Sequence, residues 1–178
     1  MDYLLLQDFL VTYSLPTLIV AVIVSAVSLT LNKFFNRSPK LLKAYLPFLL
    51  AVLLYFIYDI LFVEGDFSFK KEVFYGGILS GSLSAIISSA IKKISNGKPI
   101  GVSATVLLIE GILDGYIETH LLTKTAMDIE LALSLEDSTK QEQQVVDTIT
   151  YNCSSLTSDE IIRLAKLILG AVKQVKKS

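Results

Sequence analysis

Cysteine is almost absent from this sequence. Cys153 stands alone, which excludes a disulfide within the chain and a zinc site built on cysteines. A lone thiol of this kind reads as buried and inert. Histidine is as scarce: His120 is the only one, so a multi-histidine metal centre within one chain is excluded too. Excess charge is also missing, and a formal net charge of −1 argues against bulk electrostatic binding of nucleic acid. There is no G-x-x-x-x-G-K-S/T phosphate loop and no G-x-G-x-x-G opening a helix after a strand. The run from Gly77 to Gly81 has the wrong spacing for a nucleophile elbow and no histidine partner. The reading is of a non-enzymatic chain with no catalytic residues, no cofactor and no metal ligands.

The most informative absence is of charge over long stretches. Residues 9–32 carry none, after a start that holds Asp2 and Asp8 and no basic side chain. That run is too long for a cleaved signal peptide and lacks both the basic n-region and the small-residue cleavage site. A helix rising about 1.5 Å per residue needs roughly 20 residues to cross a hydrocarbon core of about 30 Å. Pro16 suits the first turn of such a helix, where its missing N–H costs nothing, so the first span is placed at about 16–34. Ser25 and Ser28 share one face of it and can bond preceding carbonyls.

A second apolar run covers 44–63, with Pro47 read as lying near the helix start. Tyr45 and Phe48 at one end, and Phe56, Tyr58 and Phe62 toward the other, suit the interfacial belts where aromatic rings settle. Asp59 interrupts it. An acid inside a span is a functional-site candidate by default, but Asp59 lies about four residues from the outer end. It has headgroup water, Lys70 or Lys71 within reach.

The third run, 73–91, is nineteen uncharged residues closed by Lys92 and Lys93. Gly77, Gly81, Ala85 and Ser89 recur every fourth residue, a small-xxx-small face that lets helix backbones approach closely in lipid. Ser80, Ser84 and Ser88 form a second, polar stripe beside it and are the candidate pore face.

Basic residues orient the bundle. Lys33, Arg37, Lys40 and Lys43 cluster with no acid in the first loop, where Asn36 and Pro39 mark a turn. Lys92, Lys93 and Lys98 follow the third run, again without an acid. The positive-inside rule puts both clusters in the cytoplasm, so the N-terminus is outside and the C-terminus inside.

Past the turn at 95–101 the composition changes, with eleven acids against seven bases from residue 99 onward. The chain thus divides into a transmembrane domain at 1–98 and a cytosolic helical domain at 99–178, with helices at about 102–122, 124–134, 140–150 and 158–176. The segment 102–122 is apolar enough to raise the alternative of a fourth span. Against it stand Glu110, Asp114 and Glu118, which share one face of a continuous helix. Each acid would cost about 2.5–3.5 kcal/mol at the bilayer centre. Thr157 and Glu160, three apart, form a capping box, followed by Ile161, Leu164, Ile168, Val172 and Val175 at helical spacing. About 80 residues make only a marginal core alone, so the tail needs to oligomerise or to dock on the bundle.

The fold expected is therefore all-α, three spans with a cytosolic helical tail. The function expected is non-enzymatic. The Gly/Ser helix packs or self-associates into a homo-oligomer in the bilayer, and the C-terminal helices present an interaction module to a cytosolic protein. Three spans with N-out and C-in and a charged cytosolic end are similar in layout to one class of phage holins, which makes a pore-forming channel the first alternative. A small transporter or ion-coupled subunit, using Asp59 with Glu110 and Asp114, is the second. A multi-pass, N-out chain without a cleavable signal suits the inner membrane of a bacterium, its C-terminus cytoplasmic.

Overall fold

The computed structural model describes residues 13–34, 40–64, 71–96, 101–153 and 156–177. Asp2 and Asp8, the turn at Asn36 and Pro39 with Arg37, Lys70, and the 97–100 stretch with Lys98 lie outside the described residues. The described residues form seven α-helices and no strand. They are α1 Leu15–Phe34, α2 Lys40–Asp59, α3 Lys71–Ser95, α4 Ala104–Leu113, α5 Thr119–Ala132, α6 Ser138–Asn152 and α7 Ser158–Lys177. A π-helical turn, Ile60–Glu64, prolongs α2. Two helical stretches, Ala44–Phe62 and Lys71–Ser95, are long and apolar enough to cross a membrane, and Leu15–Thr30 is a shorter apolar one.

α3 is the axle of the molecule. It packs on α2 most extensively, then on α1, α4 and α7. Residues 80–86 are all buried, on every side of the helix, as expected of a helix enclosed by others. The larger apolar core runs from Ala21, Phe48 and Leu83 through Leu108 and Ile112 to Ile129, Ile149 and Ile168, and a smaller one joins Val20, Val24 and Ala51. The chain on either side of residue 98 therefore shares one core. The tail obtains from α3 the apolar surface that its own short helices do not supply.

Two expectations about the helices are corrected. The helix expected at 102–122 is two helices, α4 and α5, separated at Asp114–Glu118. Gly115 has φ +86°, in the left-handed region where only glycine is at ease. A short bridge joins Asp114 to Ile117 across that turn. α4 is left with ten residues, about 15 Å long and half a hydrocarbon core, so the fourth-span alternative fails. The second correction concerns Pro47. α2 begins at Lys40, so Pro47 lies two turns inside it and leaves the carbonyl four residues earlier without its helical donor.

The ends of the tail helices carry their own signals. Ser103 caps α4, accepting from the Val106 N–H at 3.1 Å. Asp137 caps α6, accepting from the Thr139 N–H at 2.9 Å. At α7 the capping box is reciprocal: the Thr157 N–H donates to Glu160 Oε2 at 2.9 Å, and the Glu160 N–H donates to Thr157 Oγ1 at 3.4 Å. The backbone N–H and the hydroxyl of Thr157 hold the Glu160 carboxyl below its ordinary range. Stability from a depressed carboxylate is present above the unfolded-state pKa and lost as pH falls through the folded one. Thr157→Ala is thus expected to cost about 1 kcal/mol at neutral pH, with a smaller difference from wild type at acid pH. Thermal melts of both proteins at the two pH values check this.

Candidate functional site

The small-residue stripe is used inside the chain. A Cβ placed on Gly77 would lie 2.5 Å from Val52 Cα, and one on Gly81 would lie 2.9 Å from Phe48 Cα. Both distances are to backbone, so α2 approaches α3 as closely as the glycines allow. Further along, a Cβ on Gly111 of α4 would meet Ala85 O at 2.8 Å and Ser89 Oγ at 2.9 Å. The four positions Gly77, Gly81, Ala85 and Ser89 are all buried. Their partners are α2 and α4 of the same chain.

The serine stripe is likewise enclosed. Ser80 donates to Gly76 O at 2.8 Å. The Ser25 hydroxyl donates to Ala21 O at 2.8 Å and lies 3.1 Å from Ser84 O and 3.2 Å from Ser84 Oγ. Ser80 and Ser84 are buried within the bundle, so a pore built from a ring of third helices finds this stripe already covered by α1.

Ser88 is different. With Ser28 of α1 it lines a cavity of about 240 Å³, also bounded by Ser89, Lys92, Gly111 and Asp114. The hydroxyls of Ser28 and Ser88 are buried and have no hydrogen-bond partner among the described residues. Such groups are costly unless something satisfies them. At the mouth, Lys92 and Asp114 form an ion pair with both side chains about two-fifths exposed.

The acidic face expected at Glu110, Asp114 and Glu118 does not exist as a face, because the helix ends between its members. Glu110 is 3% exposed and accepts from Lys93 Nζ at 2.8 Å and from the Thr123 hydroxyl at 2.6 Å. Asp114 pairs with Lys92. Glu118 is exposed and lies 3.3 Å from His120 Nδ1. One is a buried ion pair, one guards a cavity, and one is a solvated surface contact. Asp59 sits at the junction of α2 with its π-helical turn and makes no ion pair among the described residues, Lys71 included. Cys153 is buried and its thiol donates to Tyr116 O at 3.1 Å. Burial, with Tyr45 and Glu160 nearby, pushes the Tyr116 phenol far above its ordinary range.

The outer surface divides by helix. On α1, Leu15, Ile19, Val22, Ile23 and Val27 face outward, as do Leu49, Leu53 and Ile57 on α2 and Leu61 and Phe62 on its π-helical turn; these ten are 37–74% exposed. α7 packs on α3 and α4; a groove between it and α2 is lined by Leu49, Val52, Ile78 and Lys166, and Tyr45 donates to Arg163 O at 3.0 Å. Arg163, Lys166, Lys173 and Lys176 lie exposed along its outer side. The tail, expected to oligomerise or to dock on the bundle, packs along the apolar helices of its own chain. Sequence reasoning noticed Ser28, Lys92 and Lys93 only as a back-bonding serine and topology markers. Their partners lie in segments remote in the chain, and no local pattern announces them.

No protein-family model matches the chain, and no curated protein or solved structure matches it significantly. The geometry of its own residues carries the functional reading.

Proposed function

We propose that this chain is a small non-enzymatic integral membrane protein of three spans, N-out and C-in. In this reading its last helix lies along the bundle beside α2 and α3, and the tail presents the outer side of α5 and α6 to a cytosolic partner. The observation that carries the reading is the outward row of large apolar side chains on α1 and α2. Each would cost about 1.5–3 kcal/mol to hold in water if fully exposed, and exposed apolar patches of this extent mark contact with a membrane or another protein. The uncharged length of both helices favours lipid. On the tail, Leu131 and Tyr151 stand exposed beside one groove between α5 and α6, which supports an interaction surface there.

That last helix, α7, limits how the bundle sits. Arg163 and Lys166, near the level of Tyr45, reach headgroups at the basic side by extending their stems. Lys173 and Lys176 are exposed further along α7, and each would cost roughly 2.5–3.5 kcal/mol at the bilayer centre. The reading therefore expects the α7 side of the bundle to be the less deeply immersed. A topology reporter fused after Ser178 tests the arrangement, together with carbonate extraction of the membranes. A cytosolic signal from a carbonate-resistant protein is expected. A signal on the far side, or release by carbonate, overturns the three-span reading.

A further inference from the structure

Resting on the membrane reading above, we infer that the cavity between α1, α3 and α4 binds a phospho-ammonium zwitterion, the chemistry of an ethanolamine phospholipid headgroup. Its volume, about 240 Å³, is several times the roughly 30 Å³ that one water occupies in the liquid. The deep part carries hydroxyls in want of partners. Ser28 is 6% exposed, and its Oγ and that of Ser88 have no hydrogen-bond partner among the described residues. Ser89 adds a third hydroxyl to the lining. The mouth carries one cation and one anion, Lys92 and Asp114, already facing each other.

That charge arrangement selects a class of ligand. A bare anion drawn to Lys92 would be repelled by Asp114, and a bare cation would meet the reverse. A zwitterion inserts into the pair with both charges answered: its phosphate takes Lys92 and the serine donors, and its ammonium takes Asp114. Charge-assisted hydrogen bonds of this kind are the strong ones. Several donors converging suit an oxyanion with several acceptor oxygens. The place fits as well. Ser28 lies near the end of α1, Ala44, Leu46 and Pro47 in the first half of α2, and Ser88 to Lys92 near the end of α3. All three mark the basic side of the bundle, where headgroups of the cytosolic leaflet lie in the proposed topology. Gly111 lets α4 lie close against α3 at the cavity wall, since a Cβ there would press on Ala85 O and Ser89 Oγ.

The test uses the full chain in detergent micelles, titrated with dioleoyl phosphatidylethanolamine, phosphatidylcholine and phosphatidylglycerol and read by native mass spectrometry. The ethanolamine lipid should be retained about ten-fold better than the other two, whose headgroups lack an N–H donor or a cation. Asp114→Asn and Lys92→Gln, both at part-exposed positions, should erase that preference with unchanged helical circular dichroism. Ser28→Ala should weaken retention without changing the preference for ammonium. Equal retention of the three lipids, or an undiminished preference in Asp114→Asn, overturns the inference. Calorimetry with soluble phosphoethanolamine separates the sources: binding sensitive to the same variants assigns the site to a free zwitterion. Failure of both probes in a protein that still resists carbonate extraction removes this inference alone. Release by carbonate removes the membrane reading first.

Discussion

Gly77→Ala and Gly81→Ala are expected to destabilise the protein, although in a solvent-exposed helix interior the same change gains up to about 1 kcal/mol. The sign reverses because a Cβ at these positions would sit 2.5 Å from Val52 Cα and 2.9 Å from Phe48 Cα. Side chains can rotate away from such an intrusion, but a helix backbone must be displaced. Overpacking in a tight core costs typically 1–3 kcal/mol. Leucine at either position adds a whole side chain where even a methyl does not fit, so about 3 kcal/mol or more is expected. Gly170→Ala is the control. Nothing lies within 4 Å of its Cβ position, and it should stabilise α7 by about 0.5–1 kcal/mol. Unfolding by denaturant in micelles reads all of these. If Gly81→Leu instead leaves stability intact and abolishes a crosslinked dimer, the stripe faces a second copy and the intrachain packing described here is wrong.

Lys93→Ala is expected to cost about 3–5 kcal/mol, because it leaves a nearly fully buried carboxylate at Glu110 without its cation. The neighbouring Lys92→Ala should cost no more than about 1 kcal/mol. Its pair with Asp114 is about two-fifths exposed on both sides, where water and salt screen the attraction. Two consecutive lysines, each facing an acid of the same turn region, thus differ several-fold in consequence, and burial alone makes the difference. The double change Lys93→Met with Glu110→Leu should restore most of the loss, since a well-packed apolar pair often equals or exceeds a buried ion pair. Denaturant midpoints of the four proteins form the check. Equal costs for Lys92→Ala and Lys93→Ala would show that Glu110 is hydrated.

Features that depend on neighbours along the chain were legible in the sequence. The capping box at Thr157 and Glu160 is a three-residue pattern, and it closes as read. The stripe Ile161, Leu164, Ile168 and Val172 follows helical periodicity, and all four are buried. The boundaries expected for the first apolar helix and for the last helix of the tail fall within two residues of α1 and α7. The break at Asp114–Glu118 was less accessible. Gly111 and Gly115 both weaken a helix, yet one remains helical against Ala85 while the other takes φ +86°. The same residue type does opposite things because of what each one touches.

The sequence by itself determined the all-helical character, the long uncharged apolar runs, and the absence of cysteine or histidine clusters. Each of these follows from composition, periodicity or the length of a run, which are properties of consecutive residues. Only the tertiary structure decided that the Gly/Ser stripe is covered by α2 and α4, that Glu110 is buried against Lys93, and that α7 lies along the apolar helices. It also decided that Ser28 and Ser88 meet over one cavity. Those outcomes depend on which surfaces reach one another across tens of residues. A small-residue stripe or a lone acid carries the same local signal whether its partner is lipid, water, another copy or its own chain.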